Sequence, residues 1–408
     1  MTTPLKDKHI ILGVTGSIAC YKAADLASKL TQAGALVDVI LSESATRFIA
    51  PITFQSVTGR RAYVDADLWS GEGHVVHIGL GQAADLFVVA PITANTMAKL
   101  AHGEADTLLT VSALAADCPL LIAPAMDGGM FQHPATQANL ETLKQRGAVV
   151  VGPAAGHLAS GLKALGRMVE PFEILGHIRH LLAQDGPLTG RKVVVSAGGT
   201  QEALDPVRFI GNHSSGKQGF AIAQAALDLG AEVILVTAPV SLETPIGAAR
   251  VDVTSAREML DAVRAATDDA DVLVMAAAVA DFRPAQTAEQ KIKKEKGVPS
   301  VELARNPDIL LEVAKHKQKN GFPKVTVGFA AESENLRANA QAKLAKKNLD
   351  LIVANDISAQ DAGFAVDTNR VVLLSAAGNQ EELPLMSKAE VAAAVMLRVL
   401  QLLGDHHE

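Results

Sequence analysis

His9-Ile10-Ile11-Leu12-Gly13-Val14, followed by the turn Thr15-Gly16-Ser17 and a stretch from Ile18 to about Gln32, decides the fold. The apolar run is too short for a buried helix and is bounded by small residues, so it reads as a strand buried on both faces. Beyond the turn the apolar spacing is helical, and Gly34 is a good place for a helix to stop. Strand, tight turn and helix form the repeating unit of an α/β sheet. Outward from it, Val37–Leu41, Leu86–Ala90, Leu120–Ala123 and Val149–Val151 read as further strands, and His177–Ala183 as a closing helix. The pattern pauses at Gln184-Asp185-Gly186-Pro187 and restarts with the strand Lys192–Ser196 and the turn Ala197-Gly198-Gly199-Thr200. Strands at Val233–Thr237, Val272–Ala276, Val325–Phe329 and Leu351–Ala354 follow. Helices fit Gln218–Leu229, Ala256–Ala266, Asp308–Lys315, Asn335–Lys347 and Lys388–Leu403. The expectation is two Rossmann-like, doubly wound domains over residues 1–187 and 188–408.

Composition narrows the function classes. The 408 residues are 49% apolar and only 3% aromatic, with a net charge of −7 and no long basic block. Aromatic stacking platforms for single strands and a basic footprint for nucleic acid or anionic membrane are both missing, so small-molecule partners are expected. Cys20 and Cys118 form no CxxC pair, which gives no support to zinc or a disulfide framework. The apolar run near the start is short for a signal peptide, and no stretch offers the roughly 18 apolar residues of a spanning helix. A reducing cytoplasm is the resulting expectation.

In open α/β sheets ligands collect at the carboxyl ends of the strands. In the first half those ends carry Gly16-Ser17-Ile18, Ser42, Pro91-Ile92-Thr93-Ala94-Asn95-Thr96 and Pro124-Ala125-Met126-Asp127. Small residues let the backbone approach a ligand, and a helix N-terminus favours a phosphate. A plain βα turn with ordinary helix caps is the competing reading. Gly16-Ser17-Ile18-Ala19, His77-Ile78-Gly79-Leu80, Ala90–Thr96, Gly103-Glu104-Ala105-Asp106, Pro124-Ala125-Met126 and Gly166-Arg167-Met168 together resemble the flavin-containing cysteine decarboxylases. The resemblance is to those acting on phosphopantothenoylcysteine, and it covers residues 8 to about 175. It implies a flavodoxin-like domain that binds FMN at Gly16, Ser17, Ile18, Ser42, Thr93, Asn95 and Thr96, with His77 catalytic. Met126, Asp127 and Arg167 are implied in substrate binding. Two positions depart from the family pattern: Asp127 stands where the family has asparagine, and Ser160 where its mobile flap has a catalytic cysteine.

In the second half, Asp205–Arg208 leads into Asn212-His213-Ser214-Ser215-Gly216-Lys217, a flexible polar loop ahead of a helix and suited to phosphate. An N-capped helix entry is the bland alternative. Lys291-Ile292-Lys293-Lys294 offers cations for a triphosphate, against the reading of a solvated loop, and Asp281 offers a carboxylate for Mg2+ beside phosphates. With Ala276–Asp281, Asn306–Ile309, Gly328–Glu332 and Asp350–Asp356, these stretches are similar to phosphopantothenate–cysteine ligases over residues 191–403. Ser333 stands where threonine is commoner. In this order the two halves resemble the bacterial bifunctional coenzyme A biosynthesis family.

That resemblance implies CTP and Mg2+, an acyl-cytidylate intermediate, ligation of cysteine, and FMN-dependent decarboxylation to 4′-phosphopantetheine. Asn212 would handle the acyl-cytidylate and Arg208 the substrate. CTP would lie at Gly199, at Ser214, Ser215 and Gly216, and at Met275, Ala276, Ala277 and Asp281. Lys291, the run Pro307, Asp308, Ile309 and Leu310, then Phe329, Lys343 and Lys347 would complete its site. Homo-oligomers are implied as well: trimeric or higher flavin domains and dimeric ligase domains. Two other readings stay open at this stage. One is a ligase joined to a degraded or retuned flavin domain, because Asp127 and Ser160 change the family's chemistry. The other is a nicotinamide oxidoreductase, although neither turn spells the full dinucleotide fingerprint.

Overall fold

The computed structural model describes residues 3–69, 75–159, 161–293, 300–332, 335–356 and 366–405. His74, Ser160, Lys294 and Ser333 lie outside the described residues. The chain divides into two compact units between Leu182 and Ala183. Among the described residues no helix is long and apolar enough to cross a membrane.

The first unit is a parallel sheet of six strands. In spatial order they are Ala62–Val64, Leu36–Leu41, His9–Val14, Leu86–Ile92, Leu120–Pro124 and Val149–Val150. The central strands are apolar throughout because both faces are covered. Leu12 and Val14 pack into one core with Leu26 and Leu30, while Ile11 packs into the other with Phe87 and Val89. Each such side chain contributes roughly 1.5–3 kcal/mol by leaving water. The first helix runs Cys20–Gln32, so Ile18 stays in the turn and is 63% exposed. The strand order reverses between His9–Val14 and Leu86–Ile92, which opens a crevice at their carboxyl ends.

The second unit carries an eight-stranded sheet. Its order is Ala248–Asp252, Glu232–Thr237, Lys192–Ala197, Val272–Met275, Val325–Glu332, Leu351–Asp356, Thr368–Ser375 and Gln380–Ser387. The first six are parallel and the last two antiparallel. The doubly wound reading therefore holds up to residue 356, and a hairpin absent from it closes the sheet. Pro384, Glu381 and Glu382 on the outer strand are edge residues that discourage further pairing. The helices Lys217–Asp228 and Lys388–Asp405 cover one face, and Ala256–Ala266, Ile309–Asn320 and Leu336–Lys346 the other.

Candidate functional site

Buried Thr15 locks the two loops at the first unit's crevice. Its hydroxyl donates to the Pro91 carbonyl at 2.8 Å and accepts from the Thr93 N–H at 2.9 Å. Gly16 passes so close to Ser44 that a β-carbon there would collide with it. Helix Cys20–Gln32 starts at this turn with no side-chain cap and no acidic residue in its first turn. The Cys20 and Lys22 N–H groups bond back to the Ser17 and Ala19 carbonyls at 3.0 Å, so what this end offers a phosphate is the positive pole of the helix. Thr93 caps Ala94–His102 by accepting from the Thr96 N–H at 3.4 Å, which turns the Thr96 side chain inward while Asn95 is exposed. Gly16, Ser17, Ser42, Thr93 and Asn95 thus all follow the carboxyl ends of strands that border the crevice, whereas Thr96 is buried in the first turn of its capped helix.

A hairpin of Ala154–His157 and Lys163–Arg167, unforeseen in the sequence, is pinned to the loop after Leu120–Pro124. The Met126 N–H donates to the Gly166 carbonyl at 3.0 Å. A β-carbon on Gly166 would strike the Met126 carbonyl, and one on Gly128 would lie 2.8 Å from Ala164 Cβ. This contact brings Met126, Asp127 and Arg167 together. Asp127 caps helix Gly128–Gln132 by accepting from the Gly129 N–H at 3.0 Å, a job asparagine does equally well. Arg167 pairs with Glu170, which also receives Lys22 Nζ at 3.0 Å. His77 stands in the first turn of Val76–Ala83, and its Nδ1 is buried with no hydrogen-bond partner among the described residues. A buried ring nitrogen in that state carries a desolvation cost that a ligand can relieve.

In the second unit a cavity of about 340 Å³ opens at the carboxyl ends of Val272–Met275 and Val325–Glu332. Gly199 must be glycine here, because a β-carbon would come within 2.6 Å of the Asn212 carbonyl. That close passage holds the Asn212 loop over the strand ends, where Asn212 Nδ2 donates to the Val279 carbonyl at 3.1 Å. Ser214, Ser215, Gly216, Met275, Ala276, Ala277 and Asp281 line the cavity, as do Pro307–Leu310, Phe329, Lys343 and Lys347. Lys347 is steadied by Asp308 at 3.1 Å.

Gly199, Arg208 and Lys291 are not among its lining residues. Arg208 instead grips buried Asp205, with Nε at 3.0 Å, and donates from a terminal nitrogen to the Ile292 carbonyl at 2.8 Å. Asp205 also accepts from the N–H groups of Val207, Arg208 and Ile292 at 2.8, 2.9 and 3.1 Å. The Arg208 pairing, reinforced by these donors, holds the Asp205 carboxyl well below the usual range. Together they tether the segment that carries Lys291.

One wall of the cavity was not assigned from the sequence: Gln218, Asn369 and Lys388, with Lys217 and Asn355, which lie inside the motif stretches but were given no role. Burial pushes the Lys388 ammonium down from its ordinary value, the Lys217 charge adds to this, and Asp367 opposes it. Gln218 Nε2 donates to the Lys388 carbonyl at 3.2 Å, and Asn369 Nδ2 to Gln218 Oε1 at 3.4 Å. Among the described residues no cluster of three acidic, histidine or cysteine side chains converges.

The flavoprotein family profile matches residues 1–183, and that of the DNA/pantothenate metabolism flavoprotein C-terminal domain matches residues 188–403. A coenzyme A biosynthesis bifunctional protein CoaBC from Bacillus subtilis (strain 168) is 45% identical over 401 residues, covering 98% of each chain. Its namesake from Mycobacterium tuberculosis (strain ATCC 25618 / H37Rv) is 44% identical over 409 residues, covering 97% of each. A crystal structure of the C-terminal domain of a CoaBC protein aligns at 39% identity with a TM-score of 0.46. It covers 54% of this chain and 100% of that one.

Proposed function

Because this chain belongs to the CoaBC family of bifunctional coenzyme A biosynthesis proteins, we propose that its second domain uses CTP to join cysteine to 4′-phosphopantothenate and its first decarboxylates the product with FMN. The chain is a bifunctional enzyme of ligation and decarboxylation. Relatives that match both domains end to end do not favour a nicotinamide oxidoreductase or a degraded flavin half.

One observation carries the ligase reading: Asn212, Asp281, Lys343 and Lys347 converge on a single cavity with the apolar side chains Ile309, Leu310 and Phe329. A carboxylate is a poor electrophile. Its oxygen attacks the α-phosphorus of CTP, the bond to the bridging oxygen breaks, and pyrophosphate leaves with the electron pair. Cysteine's amine then attacks the acyl carbon and CMP departs. Lys343 and Lys347 offset charge developing on phosphate oxygens, while Asn212, anchored on Val279, orients the acyl group. Mg2+ would be held by Asp281 and the nucleotide's own oxygens, as that ion prefers.

In the first domain the crevice residues fit a flavin phosphate at the uncapped helix start. FMN supplies the reversible two-electron oxidation of the thiol-bearing carbon that lets carbon dioxide leave. His77, its Nδ1 buried, would hold a proton there, and Arg167 on the hairpin would bind the substrate.

We propose also that copies pair. The ribbons Gln201–Ala203/Phe209–Gly211 and Phe282–Pro284/Leu303–Arg305 expose Val207, Phe209, Phe282 and Leu303. In the first unit Ile18, Tyr21, Ile52 and Trp69 are exposed. Apolar patches of this kind mark interfaces.

The test incubates the full chain with phosphopantothenate, cysteine, Mg2+ and either CTP or ATP, and identifies products by mass. Phosphopantothenoylcysteine formed with CTP, and phosphopantetheine after it, are expected. No ligated product would overturn the reading.

A further inference from the structure

Lys217 and Lys388 are each the first residue of a helix, Lys217–Asp228 and Lys388–Asp405. Both line the same cavity. The start of a helix is its positive pole and the least favourable place on it for a cation. Here two such poles converge, and Gln218 bonded to the Lys388 carbonyl ties them together. Lys388 is also 94% withdrawn from solvent, being 6% exposed. Helix Lys217–Asp228 begins at Gly216 with no side-chain cap and no acid in its first turn. Asp367 holds Lys217 at 2.6 Å from a largely exposed position, and Glu390, in the first turn of Lys388–Asp405, is engaged by the Ser387 N–H and hydroxyl at 2.7 and 2.8 Å. A local rule broken twice in one place marks a functional site.

An independent observation points the same way. Asn355 stands at the carboxyl end of Leu351–Asp356, is 8% exposed and lines the cavity, and its Oδ1 is buried with no hydrogen-bond partner among the described residues. Its β-strand neighbours Val353 and Leu351 face the core under helices Lys217–Asp228 and Lys388–Asp405, so by alternation Asn355 faces that side too. A half-turn about its Cβ–Cγ bond exchanges the amide oxygen for two N–H donors. Asn369, 2% exposed and bonded to Gln218, completes the wall.

We propose that Lys217, Lys388, Asn355 and the N-terminus of Lys217–Asp228 form a pyrophosphate subsite that receives the two terminal phosphates of the nucleotide. This deepens the ligase reading and rests on it. Lys343 and Lys347 lie on the opposite face of the sheet, on or just beyond the helix Leu336–Lys346. The cavity therefore has two cationic walls, one for each part into which the α–β phosphate bond divides the nucleotide. When that bond breaks, the electron pair stays on the leaving pyrophosphate. Its added charge falls between two converging helix poles and two ammonium groups, which stabilise it more than they stabilise the intact triphosphate. Lys388 is thus a positioning and charge-stabilising residue of the first half-reaction.

The experiment uses the full chain and its ligase assay, with inorganic pyrophosphate and CMP as separate inhibitors against CTP. Lys388→Met should weaken inhibition by pyrophosphate about tenfold and leave that by CMP within about twofold. Lys388→Arg should restore much of it. Asn355→Leu, which keeps the volume and removes the amide, should shift pyrophosphate in the same direction by a smaller factor. Unchanged pyrophosphate inhibition in both variants overturns the subsite, as does an equal loss for CMP and pyrophosphate. A selective rise in the KM for cysteine, with pyrophosphate inhibition intact, overturns it as well. A wild-type chain that makes no ligated product from CTP sinks the broader reading instead, so the two failures are distinguishable.

Discussion

Asn212 is the motif residue to which the ligase reading gives the most work. Its amide donates to the Val279 carbonyl while its own backbone is pressed against Gly199. Asn212→Asp replaces the donor with a charge that repels that carbonyl and any phosphate nearby. Ligated product should form at least about a hundredfold more slowly, with flavin content unchanged, and an unaltered rate would remove Asn212 from the mechanism. Asp127 argues the other way. It caps a short helix, so Asp127→Asn keeps the cap and should leave the melting temperature within about a degree. It removes a negative charge from the loop proposed to meet an acid substrate, where two like charges about 4 Å apart repel by about 4 kcal/mol at an effective dielectric of about 20. Decarboxylation measured on pre-formed phosphopantothenoylcysteine should rise severalfold, and a fall would show that the carboxylate itself is used. Motif residues such as Asn212 and Asp127 were legible because their neighbours in sequence are their neighbours in the site. Asn369 and Lys388 were not, because each reads alone as an ordinary strand or helix residue, and Lys217 and Asn355, though inside motif stretches, join them only when the sheet closes.

Strands and helices of the parallel core were legible because each is short, apolar and bracketed by small-residue turns. The hairpin Ala154–His157/Lys163–Arg167 was not: it is glycine-rich, half exposed, and docks through the close Met126–Gly166 and Gly128–Ala164 contacts rather than a broad apolar face. Gly166→Ala tests the first of these contacts. The new methyl meets the Met126 carbonyl, so the hairpin must shift, and decarboxylation should fall by tenfold or more while ligation continues. Another device recurs ahead of the sheet strands. Asp85 takes the His9 N–H at 2.8 Å, Asp271 the Lys192 N–H at 3.0 Å, and Asp350 the Thr326 N–H at 2.6 Å, each stapling the start of a neighbouring strand. For Asp271, burial raises the carboxyl's affinity for protons, but the Lys192 N–H and the cations of Lys324 and Arg191 outweigh it and leave the pKa lowered. A lowered folded-state value gives stability that is fully present above the unfolded value of about 3.9 and is lost as pH falls through it toward the folded one. Asp271→Asn should therefore cost about 1–3 kcal/mol near neutrality and flatten the drop in melting temperature between about pH 5 and pH 3. A parallel drop in variant and wild type would clear Asp271 of that role.

At the scale of the whole chain, the turn-rich segment Gln184–Pro187 reads as the break between the halves, and in the structure it belongs to the second unit, which begins at Ala183. Gly186 lies so close to the Leu229 carbonyl that a β-carbon would collide with it. The Leu188 N–H donates to that same carbonyl at 2.8 Å, and the Leu188 side chain is wholly buried in the ligase core. The segment is the lip of the ligase domain, so where the chain is cut decides what folds. A fragment starting at Ala183 keeps the lip, whereas one starting at Arg191 loses the buried leucine, a loss of about 2–5 kcal/mol by analogy with truncating a core leucine. In a domain of this size about 2–4 °C accompanies each kcal/mol. The Ala183 fragment should retain ligase activity per mole close to that of the full chain, and the Arg191 fragment should melt several degrees lower, or more. The complementary fragment ending at Leu182 should still carry flavin through purification, read from its visible absorbance. Equal melting temperatures for the two ligase fragments would show that the lip is passive. A folded Ala183 fragment without activity would mean that the two catalytic halves depend on each other for more than a covalent link.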